Sequence, residues 1–234
     1  MKFEIQQTER KTLGDQVYRF IRESIIHLQL KPGQMVYENE LSRNLGISRT
    51  PIREAFRMLL SEEFIEILPQ RGARIAYISK KKVQDAWFIR SSLEVSAFKE
   101  IAAKWDLNDE KCKELADKIS LNLTRQKNAV TQGDLSEFFR LDEEYHNLIL
   151  NHLDNSTLMT MISQMRGHIN RVVFLELQDI NHVKNLIIDH EKIFNTLTSN
   201  DVAQLEKLLI EHFTRFSHNF SNLIEKYPDY FINA

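Results

Sequence analysis

The chain has 234 residues, enough for two ordinary domains that each bury a core. Hydrophobic residues make up 42% of the chain and charged residues 27%, which is the balance of a globular protein. Its one cysteine, Cys112, excludes an intrachain disulfide and a zinc site built from several thiolates. The formal net charge of −2 excludes no partner, because it averages a slightly basic first third and a slightly acidic remainder.

The N-terminal residues contain no apolar segment of the kind found in signal peptides. No apolar run approaches the ~18–20 residues that a helix needs to cross a bilayer. We therefore expect a soluble, cytoplasmic protein with no membrane partner. Glycine and proline are scarce after residue 80, which favours long helices there.

The first 78 residues predict three helices followed by a hairpin. Hydrophobic periodicity places helices at about 12–29, 38–45 and 48–62, and strands at 64–68 and 73–78. Gly46 separates the second and third helices, as a residue favoured just past a helix end. Residues 69–72 join the two strands. This order of elements predicts a winged helix-turn-helix domain over residues 1–78.

Residues 79–234 predict a second domain that is entirely helical. Apolar residues at helical spacing mark six helices, at about 80–104, 109–131, 135–152, 156–176, 182–198 and 201–225. No strand pattern interrupts them, and most follow an Asn or Asp that can cap a helix N-terminus. The predicted fold class is therefore mainly α, with an antiparallel helical bundle after the winged helix.

The third helix of the first domain carries arginines on its outer side. Arg49 and Arg53 lie four residues apart, and Arg57 continues the row. Ser48 and Thr50 add hydroxyl groups at the helix N-terminus, which itself favours anions. Arginine spacing alone would fit a solvated surface helix. Together with the glycine turn and the hairpin it predicts a recognition helix in the DNA major groove, because arginine suits bidentate contact with guanine or phosphate.

At the tip of the hairpin, Arg71 and Gly72 fit a wing that reaches the DNA backbone or minor groove. A solvated turn is the alternative for Arg71.

The string SRTPIREA at 48–55 and the P-x-R-G motif at 69–72 resemble the DNA-binding domain of the GntR family, across about residues 12–78. That resemblance implies DNA contact by the matching residues Arg43, Arg49, Thr50, Arg53 and Gly72. Asn39 departs from the fatty-acid-responsive prototype, which has a DNA-contacting arginine there, so no operator sequence carries over.

In the second domain, one Asp and three His fall on apolar helix faces. Asp142 and His146 are four residues apart and stack one turn apart on their helix. His190 and His212 belong to two later helices. If the helices converge, these side chains form a metal site suited to zinc, nickel, manganese or iron. Ordinary core histidines remain the alternative, since periodicity cannot show convergence.

The helical domain resembles the FCD ligand-binding domain of the FadR-type branch of GntR regulators, over about residues 80–222. Its entry pattern runs from Val83 to Glu94, and metal-binding members carry Asp-x3-His followed by two single His. The resemblance implies a divalent metal, with zinc as first candidate, on the matching residues Asp142, His146, His190 and His212. It also implies a small carboxylate metabolite above the metal, with Arg90 lining the pocket; an arginine on the surface, paired with Glu94, is the alternative.

Three hypotheses follow for the function. The first is a regulator, not an enzyme, that binds double-stranded operator DNA as a homodimer and responds to a small carboxylate. The second is a metalloenzyme, such as a metal-dependent hydrolase, that activates water at the Asp and His cluster. The third keeps the regulator but gives the metal a purely structural role. The effector, the native metal, and the choice of repressor or activator lie beyond the sequence.

Overall fold

The computed structural model describes residues 12–232, apart from the side chains at positions 217 and 218. Residues 1–11 of the predicted first domain, and the side chain of His218, thus lie outside the described part. Within it the chain forms two compact units. One unit takes in the chain up to Lys81 and from Tyr227 onward, and the other spans Lys82–Lys226.

The first unit begins with three helices in the predicted order: α1 (Leu13–Ile26), α2 (Glu38–Leu45) and α3 (Arg49–Ser61). Thr12 and Asp15 form a reciprocal capping box that starts α1. The apolar face of α1 packs against that of α3, and both faces are fully or almost fully buried. This packing fixes the inner face of α3 and leaves its other face to solvent.

Three short strands complete the winged helix: β1 (Met35–Val36), β2 (Ile65–Leu68) and β3 (Gly72–Ile75). They form an antiparallel sheet in the order β1-β3-β2. The predicted hairpin is β2–β3, whereas β1 has only two residues and was not predicted, because so short a segment shows no alternation. A further strand, β4 (Ile78–Ser79), pairs in parallel with β5 (Phe231–Ile232).

The turn between β2 and β3 requires a glycine at its end. Gly72 has a φ of +93°, in the region that favours residues without a side chain. A Cβ atom built there would lie 2.8 Å from Tyr37 Cδ1 and 3.0 Å from the Val36 carbonyl oxygen. The ring of Tyr37 therefore occupies the space that a side chain would need.

We expect Gly72→Ala to loosen this hairpin, with a local destabilisation of about 1–3 kcal/mol from the backbone strain. Faster hydrogen exchange in a peptide spanning β2 and β3 would report it. Gly46→Ala is the matched control, because Gly46 also has positive φ but no atom lies within 4 Å of its built Cβ. Equal effects of the two substitutions on the hairpin would contradict the steric argument.

The second unit consists of six long helices. They are α4 (Lys80–Ala103), α5 (Glu110–Gln132), α6 (Leu135–Asn151), α7 (Ser156–Glu176), α8 (Ile180–Thr198) and α9 (Val202–Lys226). The α5 helix packs against α6 and α8, and α9 packs against α7 and α8. The predicted helical fold of this unit is thus confirmed, and one core cluster takes apolar side chains from all six helices. The predicted domain over 79–234 was not wholly helical, because Phe231–Ile232 form a strand that belongs to the first unit.

A buried tyrosine fixes α6 against α8. Tyr145 is fully buried, and its hydroxyl donates to the His190 carbonyl oxygen at 3.0 Å. The Tyr145 ring also stacks on the His190 imidazole, with 4.2 Å between ring centroids. These contacts place His190 beside His146, the residue that follows Tyr145 on α6. The two histidines belong to the site described next.

Candidate metal centre and DNA-binding surface

The turn between α2 and α3 sets the direction of the arginine-bearing helix. Gly46 adopts a left-handed conformation, with φ +68°, which ends α2. The Ser42 hydroxyl donates to the Ile47 carbonyl oxygen at 2.6 Å and holds the turn. Ser48 takes the N-cap position of α3, but its side chain makes no capping hydrogen bond. Its hydroxyl is exposed and points to no backbone amide of its own helix.

All seven residues predicted to contact DNA are exposed: Arg43, Ser48, Arg49, Thr50, Arg53, Arg71 and Gly72. The opposite face of α3 is buried through Ile52 and Leu59, among others. One feature escaped the sequence reasoning: Arg53 Nε donates to Glu38 Oε2 at 2.8 Å. This ion pair orients a guanidinium whose side chain is still 59% exposed.

In the helical unit the structure brings the four candidate metal ligands together. Asp142 and His146 project from α6, His190 from α8 and His212 from α9, and all four are buried. One imidazole nitrogen from each of the three histidines lies within 4.8 Å of the others. Asp142 Oδ1 lies 3.5 Å from His190 Nε2.

Each of these imidazoles has an oxygen atom next to its Nδ1. His146 Nδ1 lies 2.6 Å from Glu94 Oε2, and His190 Nδ1 lies 3.0 Å from Gln126 Oε1. His212 Nδ1 lies 3.6 Å from Asp189 Oδ2, which Arg215 Nη1 also contacts. Oxygen partners of this kind orient metal-binding histidines and set their tautomer. Glu94, Gln126 and Asp189 come from α4, α5 and α8, and no local pattern in the sequence predicts them.

The chemistry of this cluster fits a divalent metal. Burial lowers the pKa of His146 and, more strongly, of His190, so both rings stay neutral, as metal ligation requires. His190 Nε2 is buried and has no hydrogen-bond partner among the described residues. A buried polar atom of this kind usually has a partner, and a metal ion would provide one.

Two buried arginines adjoin the cluster. Arg90 is 5% exposed, and its Nε donates to Glu94 Oε1 at 2.6 Å. Arg90 thus pairs with Glu94, as the surface alternative expected, but the pair is buried and not exposed. Arg166 on α7 donates through Nη1 to Asn147 Oδ1 at 2.6 Å, while its buried Nε and Nη2 have no hydrogen-bond partner in the described part of the chain. The sequence analysis missed Arg166, which belongs to no recognised motif.

Comparison with known families decides the identity of this architecture. The family "Bacterial regulatory proteins, gntR family" matches residues 13–75, and the FCD domain family matches residues 85–215. The FCD match alone covers more than half of the chain. The chain belongs to the GntR family of transcriptional regulators and carries an FCD domain. The predicted resemblance is confirmed.

Relatives that match this GntR protein over most of its length are transcriptional regulators. It is 28% identical to the HTH-type transcriptional repressor RspR of Escherichia coli (strain K12) over 231 residues, 99% of each chain. It is 22% identical to the gluconate operon transcriptional repressor of Bacillus subtilis (strain 168), over 87% of this chain and 83% of the relative. The chain is therefore a transcriptional regulator and not an enzyme, as predicted.

Solved structures show the same fold at lower identity. Escherichia coli McbR/YncC superposes with a TM-score of 0.76 at 20% identity, covering 93% of this chain and all of that one. A putative GntR regulator from Rhodococcus sp. RHA1 gives a TM-score of 0.71 at 14% identity, covering 88% and 97% of the two chains. Within residues 12–232, no helix of the GntR protein is long and apolar enough to cross a membrane.

Glu94 is the carboxylate that compensates both arginines. Burial alone would raise its pKa, but Arg90, His146 and Arg166 outweigh that effect and hold the pKa well below its usual range. Arg166 Nη2 lies 3.6 Å from Glu94 Oε1, and the Glu94 side chain is fully buried. Glu94 is thus an ionised group enclosed by partners from α4, α6 and α7.

Replacing Glu94 with Ala should destabilise the helical unit by about 3–5 kcal/mol, because buried positive charges would lose their partner. Urea unfolding followed by tryptophan fluorescence suits this test, since both tryptophans, Trp87 and Trp105, belong to this unit. Glu100→Ala on the same helix is the control. It removes only an exposed pair with Lys104 and should cost less than about 1 kcal/mol. A Glu94→Ala protein as stable as the control would refute the compensating role.

Proposed function

We propose that the protein binds operator DNA in a manner modulated by a small organic acid, held in a metal-containing pocket of the helical unit. In this proposal the first unit is the DNA-binding domain, and the helical unit Lys82–Lys226 is the effector-binding and dimerisation domain. The observation that carries it is the juxtaposition of three buried imidazoles and Asp142 with two buried arginines. Membership of the GntR family with an FCD domain supports binding of DNA and of a small effector. The buried site residues support the metal and the organic acid.

The DNA-binding part of the proposal assigns distinct roles to the exposed residues of the winged helix. Arg49 and Arg53 enter the major groove from α3, where each can make bidentate contacts. Thr50 and Ser48 donate to phosphates at the helix N-terminus. Arg43 contacts the backbone from α2. Arg71 and Gly72 place the wing against the backbone or minor groove.

The metal part assigns Asp142, His146, His190 and His212 as ligands. Zinc is the first candidate for this mixed oxygen and nitrogen set, with nickel, manganese and iron as alternatives. A metal bound there would supply a positive charge that a carboxylate can coordinate. Gln126 orients the His190 imidazole through a hydrogen bond at Nδ1, and the carboxylates of Glu94 and Asp189 lie beside the Nδ1 atoms of His146 and His212.

Arg90 and Arg166 hold the effector's carboxylate in this proposal. Arg166 has buried donors left over after its bond to Asn147, and a carboxylate accepts two such donors at once. The names of two relatives point to sugar-type carbon sources. One is the gluconate operon repressor, and the other is a probable D-xylose utilization operon repressor of Paenarthrobacter nicotinovorans, 26% identical over 203 residues. Sugar acids and related small acids are therefore the first compounds to test.

Regulation requires an effector that binds one arrangement of the protein better than another. A homodimer would turn this preference into DNA affinity, because two winged helices must match two half-sites at a fixed spacing. The compartment implied by operator binding is the cytoplasm. Light scattering of the purified protein tests the dimer directly.

The decisive experiment is an electrophoretic shift assay on DNA upstream of the protein's own gene cluster, with a panel of small carboxylates. The metal-loaded and chelated proteins are compared side by side. An acid that changes DNA affinity only in the metal-loaded protein supports the proposal. If chelation lowers thermal stability but leaves acid binding unchanged, the metal is structural and direct coordination of the effector is wrong.

A further inference from the structure

A second polar pocket opens where the end of α7 meets the start of α8 and the last turns of α9. Its volume is about 170 Å³. Neither the candidate metal ligands nor Arg90 and Arg166 are among the described residues that line it. It is therefore a different site from the one proposed for the organic acid.

The floor of this pocket is a buried carboxyl group. Glu176 is 6% exposed, and its buried Oε1 has no hydrogen-bond partner among the described residues. Its Oε2 lies 4.0 Å from His182 Nε2, and the Asn219 side-chain amide lies 3.2 Å from His182 Nδ1. The neighbours of Glu176 thus hold one another in place and leave one carboxyl oxygen to a ligand.

The mouth of the pocket is exposed and carries one carboxylate, one amide and one ammonium group. Asp179, Asn222 and Lys226 surround it. Asp179 already accepts a hydrogen bond from the Asn181 backbone amide, and this bond caps the start of α8. No arginine is found among the lining residues that the structure describes. With two carboxyl groups and a single lysine, the pocket disfavours an organic anion and favours a ligand that brings hydrogen-bond donors.

We propose that this pocket binds a small metabolite carrying a primary ammonium group, with Glu176 as its counter-ion. The ammonium donates to Glu176 Oε1, and the remaining chain of the ligand points to the mouth, where Asp179 is a second acceptor. An ammonium suits the site better than a hydroxyl, because a hydrogen bond between two charged groups is roughly twice as strong as one between neutral groups. The site shares no lining residue with the proposed metal and organic-acid site, and it adds a second class of effector.

Binding should release a proton. In the empty pocket, burial raises the pKa of Glu176 well above its usual range. A hydrogen bond from Asn219 opposes this shift, and the negative charge of Asp142 on α6 adds to it. An ammonium beside Glu176 would lower this raised pKa again, so binding should pass protons to the buffer. A neutral hydroxyl ligand would leave the proton where it is.

The test is calorimetric titration of the full chain with putrescine and with butanediol, which share a four-carbon chain but end in ammonium or hydroxyl groups. We expect putrescine to bind and butanediol to bind at least about tenfold more weakly. Titrations in two buffers of different ionisation enthalpy should show proton release with putrescine. Glu176→Gln should weaken putrescine at least about tenfold, whereas Glu211→Gln, an exposed position on α9, should leave it unchanged.

Equal binding of the two probes would overturn the proposal, as would putrescine binding without proton release or unchanged affinity in Glu176→Gln. Should that variant fail to fold, Asp179→Asn replaces it, because asparagine keeps the N-cap of α8 while removing the charge at the mouth. Weaker putrescine binding by Asp179→Asn supports the site, and unchanged binding refutes it.

Discussion

The double substitution of Arg49 and Arg53 with alanine is expected to lower operator affinity at least about thirtyfold, since each contact of this kind contributes about 1–3 kcal/mol. Both side chains are exposed on α3, so their removal leaves the buried face of the helix intact. The loss should be measured by fluorescence anisotropy at several salt concentrations. Because fewer counterions are released, the dependence of affinity on salt should also become shallower.

Arg19→Ala is the matched control for this prediction. Arg19 is an exposed arginine on α1 with no proposed role at the DNA, and its removal changes the net charge in the same direction. Operator affinity should change little in the control. If the double variant binds operator as well as the control does, the assignment of α3 as the recognition helix is wrong.

The second large effect is expected at the metal site. His190→Ala should reduce metal affinity at least about a hundredfold, because changes even to the groups behind metal ligands commonly cost 10- to 100-fold. His190 is fully buried between Tyr145 and Asp142, so no other side chain can replace it without repacking. Elemental analysis of the purified protein and titration of the chelated protein with zinc would measure this loss.

Thermal unfolding gives an independent readout of the same prediction. With free metal at about a hundred times its dissociation constant, the intact site should gain about 2.7 kcal/mol of stability, and His190→Ala should gain no more than about 0.4 kcal/mol. We expect the same loss of metal-dependent stability for His212→Ala. His152→Ala serves as control, since His152 lies beside Cys112 and outside the cluster. A metal content in His190→Ala equal to that of the control would exclude the proposed ligand set.

Periodicity was enough to predict the helices of both units, because apolar residues recur at helical spacing along each of them. The α2 helix agrees with its predicted bounds, and Gly46 marks its end in both sequence and structure. The two-residue strands were not predictable in this way. The β1 and β5 strands exist through pairing with residues distant in the chain, and pairs of two residues carry no period.

The candidate site, too, was only partly predictable from the sequence. Asp142 and His146 could be proposed from their spacing, because one helix determines their relation. Their meeting with His190 and His212 depends on three helices converging, which only tertiary packing decides. Glu94, Gln126 and Arg166 face the site from three further helices. Each is an ordinary polar residue in its own segment, and its role arises from burial alone.

The parallel pairing of β4 with β5 has a practical consequence for dissecting this protein. The helical unit is an insertion in the sequence, because the chain leaves the first unit after Lys81 and rejoins it at Tyr227. A fragment ending near residue 81 would lack Phe231, a buried residue of the strand that pairs with Ile78. A faithful DNA-binding fragment therefore needs both ends of the chain, joined by a short linker in place of the helices.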